Sequence, residues 1–271
     1  MLISLLLALA IDRYFIRPRA GFIDFYLNLM ATGLGRVITG PASVHWLRAA
    51  VMILPVVIVS GVLFVADSAF LTWIVQTVLL ILALGSVRVK RNVRRFKAAL
   101  ERRDEEAAGR YLDGMHQDCY QVASQNDLPG ALLWVNYRYY TAIILVTAVL
   151  GIPGLLIYCS ARWLSQHVPG DNRRSVPAEF MRIADIGGTR LVGLTYLLVG
   201  HFSRAAAAWV KNLMAITQPP RLFLIGVGQQ AGEFEAGATQ ESVASALVLA
   251  RRSSWCLVVI IAVLTLTGVL H

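Results

Sequence analysis

Asp12, Asn136, Arg138, Asp185, Arg190 and His201 stand where polar segments of this chain run into apolar ones. Their types suit recognition more than bond-making. A guanidinium can grip a carboxylate or phosphate through two parallel hydrogen bonds, and an amide both donates and accepts. A carboxylate at the edge of hydrocarbon costs roughly 2.5–3.5 kcal/mol to insert, so it calls for a partner or a water-filled cavity. On a helix Trp134 and Arg138 are four residues apart, as are Asn136 and Tyr140, so each pair shares a face. Asp185 and Arg190 flank Gly187-Gly188 in "ADIGGTRLVGLTYLLVGH", at the point where a polar segment becomes apolar.

The stretch "WVNYRYY", residues 134–140, admits two readings. As an interfacial anchor it sets its rings at headgroup level, with Arg138 at the cytoplasmic interface pairing with Asp185 or with anionic phospholipid. As the lip of a binding site it turns the same residues inward, and Asn136, which an aromatic belt leaves unexplained, keeps that reading open.

Other chemistries lack their residues. "GVGQQAG" (226–232) has the spacing G-x-G-x-x-x-G, one residue longer than a dinucleotide loop, and no βαβ pattern surrounds it. No G-x-x-x-x-G-K-[ST] is present. His45, His116, His167, His201 and His271 form no zinc-binding pair, and Cys119, Cys159 and Cys256 have neither metal-site nor disulfide spacing. Ser253 and Ser254 lack a nucleophile-elbow pattern and read as residues at a helix start. No cofactor, no metal and no catalytic residue is expected.

The elements that must position these groups are membrane helices. The chain has 271 residues, 57% hydrophobic and only 15% charged, with a mean hydropathy of +0.62, too apolar for an ordinary water-soluble domain. Its formal net charge of +9 is read as orientation and contact with anionic lipid, because the basic residues cluster beside apolar runs; nucleic acid is not an expected partner.

An N-terminal hydrophobic or interfacial helix and basic segment occupies 1–48, the helix broken by Asp12, Arg13 and Pro18. A transmembrane hairpin over 49–86 follows, its basic feet at Arg36, Arg48 and "RVKRNVRRFK". Residues 87–133 read as a polar, helical cytoplasmic segment. Membrane helices with a break at "GIPG" and a polar loop fill 134–217, a Gly/Pro/Gln-rich loop and helix fills 218–254, and a C-terminal span fills 255–271. An interfacial or re-entrant course for Thr189–Val210 relieves the conflict between the arginines of 162–190 and the positive-inside rule. The fold class is therefore all-α, with about four or five transmembrane helices.

The combination of "GALLWVNYRYYTA", "DIGGTRLVGLTYLLVGH", an N-terminal "LLALAIDRYF" and a terminal "ALVLARRSSWCLVVIIAVLTLTGVL" resembles the AmpE family nearly end to end. The resemblance implies a multi-pass inner-membrane protein of Gram-negative bacteria, a sensory modulator of chromosomal β-lactamase with a cell-wall-recycling amidase as partner. AmpE proteins are in turn distantly similar to the CobD/CbiB membrane enzymes, which join an aminopropanol unit to a corrinoid carboxylate. Asp12 and Asp185 with Arg190-Leu191 resemble acidic and P-A-R-L elements of that group. Trp134 and Arg138 stand roughly where its acids fall, and Gly188 replaces its proline. Those departures imply that the scaffold is kept and the ligase chemistry is not.

On this reading Asp12, Asn136, Arg138, Asp185, Arg190 and His201 are expected to converge on a cytoplasm-facing pocket for a small anionic or muropeptide-like ligand. The alternatives are a CbiB-like amide-forming ligase, and a membrane anchor that recruits proteins through 88–128.

Overall fold

Apolar side chains outnumber what a core of this size can bury, and the chain resolves the excess by forming helices whose outer faces stay apolar. The computed structural model describes residues 2–14, 18–33, 45–66, 68–85, parts of 94–110, 128–167, 176–215, 217–234 and 240–269. All regular structure among them is helical, as expected. Most of the polar segment 87–127, the loop 168–175 with Arg173 and Arg174, and His116, Cys119 and His271 lie outside the described residues.

The chain divides into two compact units, one of residues 1–87, 143–184 and 264–271, the other of 88–142 and 185–263. In the first, α1 (Leu2–Tyr14) packs on α4 (Ala69–Ala83), which also meets α2 (Ile23–Gly33) and α3 (His45–Ala66). Helix α1 runs through Asp12 rather than breaking there, because a single charge near a helix end can be solvated without unwinding the turn. Ser68 caps α4 by accepting a hydrogen bond from the Leu71 amide. Many large apolar side chains on α3 stay exposed, among them Val57, Val62, Phe64 and Val65, the pattern of a helix surrounded by lipid.

Helix α5 (Leu128–Asn136), a π-helical turn (Tyr137–Thr141) and α6 (Ala142–His167) follow one another without interruption. The "GIPG" sequence bends α6 without ending it. Gly151 takes φ +64°, open to a residue without Cβ, and Pro153 sits within the helix two residues on. In the first unit the buried Arg162 of α6 donates to Asp24 of α2 at 3.3 Å, and the Trp163 indole to Asn28 at 3.2 Å.

The second unit contains α5, the π turn, most of α7 (Val176–Val199), α8 (Phe202–Leu213), α9 (Pro220–Gly232) and most of α10 (Gln240–Leu266). Two expectations are corrected here. The Gly/Pro/Gln-rich stretch that opens 218–254, expected as a loop, is instead largely helical: Pro219 and Pro220 start α9, whose Phe223, Leu224, Val227 and Ala231 are buried. Apolar packing outweighs its glycines, and Gly228 brings the helix against Leu133, whose side-chain end would have to move to admit a Cβ, and alongside Tyr196. Ser253 and Ser254 do not begin the last helix but lie midway along α10, which starts at Gln240.

Pro129–Gln166 and Glu241–Leu266 are long and apolar enough to cross a membrane, and Leu2–Asp12, Ala49–Val65 and Ala69–Ala83 are shorter apolar stretches.

Candidate functional site

The π turn makes "WVNYRYY" face inward. Its carbonyl at Tyr137 accepts from the amide of Ala142, five residues on, and from the Thr141 hydroxyl at 3.3 Å. One extra residue in the turn shifts the helix face that follows, and such turns concentrate at functional sites. Trp134, Tyr137 and Tyr139 are buried, so the stretch is not an aromatic belt with its rings at headgroup level. Interhelical packing takes up the aromatic surface that a belt would leave at the interface.

Arg138 Nη2 donates to Asp185 Oδ2 at 3.0 Å, with the two side chains 12% and 4% exposed. The guanidinium lies 5.1 Å from the centroid of the Trp134 ring, which itself stacks on Tyr137 at 5.2 Å. Tyr137 hydrogen-bonds the same carboxylate. It reaches that position because its hydroxyl occupies the space where a Cβ on Gly188 would stand. Asp185 is thus held by a cation and a phenol, while its Oδ1 is buried with no hydrogen-bond partner. An ion pair so placed is bound together by the low dielectric around it, and removing either charge leaves the other costly to bury.

The remaining predicted residues are engaged elsewhere. Asn136 donates to the Ala250 carbonyl at 3.3 Å and to Ser254 Oγ at 3.2 Å, fastening α5 to α10. Arg190 donates through Nε to the Leu213 carbonyl at 3.0 Å and through Nη2 to that of Ala215 at 3.4 Å, so it satisfies carbonyls orphaned at the end of α8. It also lies over the Phe223 ring at 5.1 Å. His201 and Arg204 both meet the carboxylate of Glu233, at 3.3 and 2.9 Å, in an exposed cluster. Asp12 is half-buried on α1 of the first unit. Of the six, Arg138 and Asp185 are the pair brought into contact.

Sequence reasoning missed Tyr137, Thr195 and Ser253 as parts of this polar core. Thr195 and Ser253 are fully or almost fully buried and their hydroxyls lie 2.5 Å apart; Thr195 also donates to the Val192 carbonyl at 2.7 Å, which leaves Ser253 as donor within the pair. Hydroxyls inside an apolar run were the available signal, since membrane helices use them as interhelical contacts. Among the described residues no group of three His, Cys, Asp or Glu side chains is placed to hold a metal. "GVGQQAG" lies in α9 and at its end rather than in a phosphate-binding loop.

All of residues 1–271 match the family described as regulatory signalling modulator protein AmpE. Protein AmpE of Shigella flexneri is 28% identical over 225 residues, covering 78% of this chain and 78% of that protein. No solved structure matches. A match over the full length, in an all-helical chain whose two most specific motifs meet at the Arg138–Asp185 pair, places the chain in the AmpE family of regulatory signalling modulators.

Proposed function

We propose that this chain is a multi-pass protein of the bacterial inner membrane that modulates β-lactamase induction, and that the Arg138–Asp185 pair is its responsive element. The regulatory half of the reading is supported by the family to which the chain belongs. The observation that carries the other half is a buried ion pair formed at a π-helical turn, with one carboxylate oxygen left without a hydrogen-bond partner.

In the resting form Asp185 neutralises Arg138. A small anionic ligand, of the kind released in cell-wall recycling, competes for the guanidinium and frees Asp185, which retains the Tyr137 hydroxyl. Because the carboxylate and the guanidinium sit on α7 and the π turn, exchange of one anion for another alters the contact between these elements. The altered face is what a cell-wall amidase partner would read. A ligand shifts such an equilibrium only by its differential affinity for the two forms, and a charge-assisted pair supplies that difference.

The test uses the full-length chain in a host lacking its own copy. Asp185→Asn and Arg138→Gln are compared with wild type for β-lactamase induction, membrane abundance and binding of purified muropeptides in detergent. Asp185→Asn is expected to respond at lower ligand concentration and Arg138→Gln to lose both binding and response. Normal abundance with unchanged binding and induction in both variants would overturn the reading; loss of regulation on deleting 88–128 alone would favour the anchor instead.

A further inference from the structure

The Arg138–Asp185 pair is electrically balanced and isolated. Both side chains are almost wholly out of water, so solvent screens neither charge well. Among the described residues, Arg138 and Tyr137 of the π turn are the charged and titratable groups that act on the Asp185 carboxylate. The other charges on the helices of this unit are turned elsewhere. On α7, Arg190 sends its guanidinium to the Leu213 and Ala215 carbonyls, and Arg182 holds the exposed Glu179. On α8, Arg204 meets Glu233 and Lys211 is exposed. Arg221, buried at the start of α9, forms no ion pair with Asp185, and Arg251 and Arg252 of α10 are exposed.

An anion that enters this site upsets the balance. Two negative groups then share one guanidinium in a space closed to water, and a buried charge without its partner is strongly unfavourable. Desolvation and repulsion by a like charge both favour the neutral form of a carboxylic acid. The geometry offers a place for the neutralising proton. Asp185 Oδ2 accepts from Arg138 Nη2 at 3.0 Å, whereas Oδ1 is buried and has no hydrogen-bond partner. A hydrogen on Oδ1 therefore displaces no existing contact. Once protonated, Asp185 is a donor as well as an acceptor, so it can hold the anion with which it formerly competed.

We infer, resting on the ligand reading proposed above, that the site takes up one proton on Asp185 for each anion it binds. The occupied site then holds one guanidinium, one anion and one neutral acid. Arg138 keeps its charge throughout, and the proton comes from the surrounding water or buffer and returns there when the anion leaves. No covalent bond other than that O–H forms or breaks. The sign of the pH dependence follows. Asp185 is ionised beside Arg138 in the empty site and protonated in the occupied one, so the occupied form binds more protons and acid favours it. Where uptake is complete, affinity rises about tenfold for each unit by which the pH falls.

The experiment uses the full chain in detergent and N-acetylmuramyl dipeptide, whose carboxylate stays ionised between about pH 6 and 8. Calorimetric titrations at one pH in buffers of different ionisation enthalpy read the protons exchanged. Uptake of about one proton per dipeptide is expected, with affinity changing about tenfold per pH unit across that range. Asp185→Asn should bind with no uptake and a flat pH profile. Infrared spectra supply a reading that needs no ligand. Arg138→Gln, which takes the cation from Asp185, should show a protonated-carboxyl band at neutral pH that wild type lacks and that Arg138→Gln/Asp185→Asn loses. Binding to wild type without proton uptake, or an ionised Asp185 in folded Arg138→Gln, overturns the inference and leaves the ligand reading standing. Uptake that persists in Asp185→Asn assigns the proton to another group and overturns it as well. No binding to wild type at any pH removes the ligand reading and the inference together.

Discussion

The hydroxyl of Tyr137 stands where a Cβ on Gly188 would be, and from there it hydrogen-bonds Asp185, three residues earlier on the same helix as the glycine. The absent side chain at 188 is thus part of what lets the π turn approach α7.

Gly188→Ala should consequently destabilise the folded chain by about 1–3 kcal/mol, the usual range for overpacking a tight contact. Thermal unfolding in detergent is the measurement. Tyr137→Phe removes the colliding oxygen, so the double variant should regain part of the loss. If Gly188→Ala is as stable as wild type, the close approach is not present in the folded protein.

The charge pair should show strong coupling. Asp185→Leu or Arg138→Met alone leaves an unmatched buried charge and should cost about 3–5 kcal/mol, whereas the double replacement by apolar residues should lie within about 1–2 kcal/mol of wild type. A double-mutant cycle on unfolding free energies reads the difference. Additive single effects would mean that the two charges do not share an environment.

Hydrogen bonds between helices should matter less. Asn136→Ala removes the contacts with Ala250 and Ser254, and Ser253→Ala removes that with Thr195. Each should cost about 0.6 kcal/mol and no more than about 1.7. Hydrogen exchange of α10 amides should rise in both variants while that of α3 is unchanged; uniform exchange across the chain would argue against a local role.

In the first unit Arg162 has a side chain with no solvent exposure, paired with Asp24 at 3.3 Å. Asp24→Asn should lower the unfolding temperature far more than Glu179→Gln, because the Glu179–Arg182 pair is exposed on both sides and such pairs contribute about 0–1 kcal/mol. Equal effects of the two substitutions would show that burial does not set the strength of the first pair.

The sequence by itself determined the all-helical class and the kink at Gly151, and it singled out Arg138 and Asp185 as charges in need of partners. Each is a local consequence of residue chemistry: apolar length, missing backbone hydrogen or Cβ, and the cost of charge beside hydrocarbon. It also exposed the family, through motifs long enough to be specific. Only the tertiary structure decided which charges meet. Arg138 and Asp185 are 47 residues apart, and their encounter depends on one extra residue in a helical turn and one missing side chain at Gly188. Arg190 and His201 carry the same sequence signal as polar residues beside apolar runs, yet one closes the end of α8 and the other joins an exposed cluster with Glu233. Residue type states that a partner is needed; the relative rotation of helices, which no local pattern records, selects the partner.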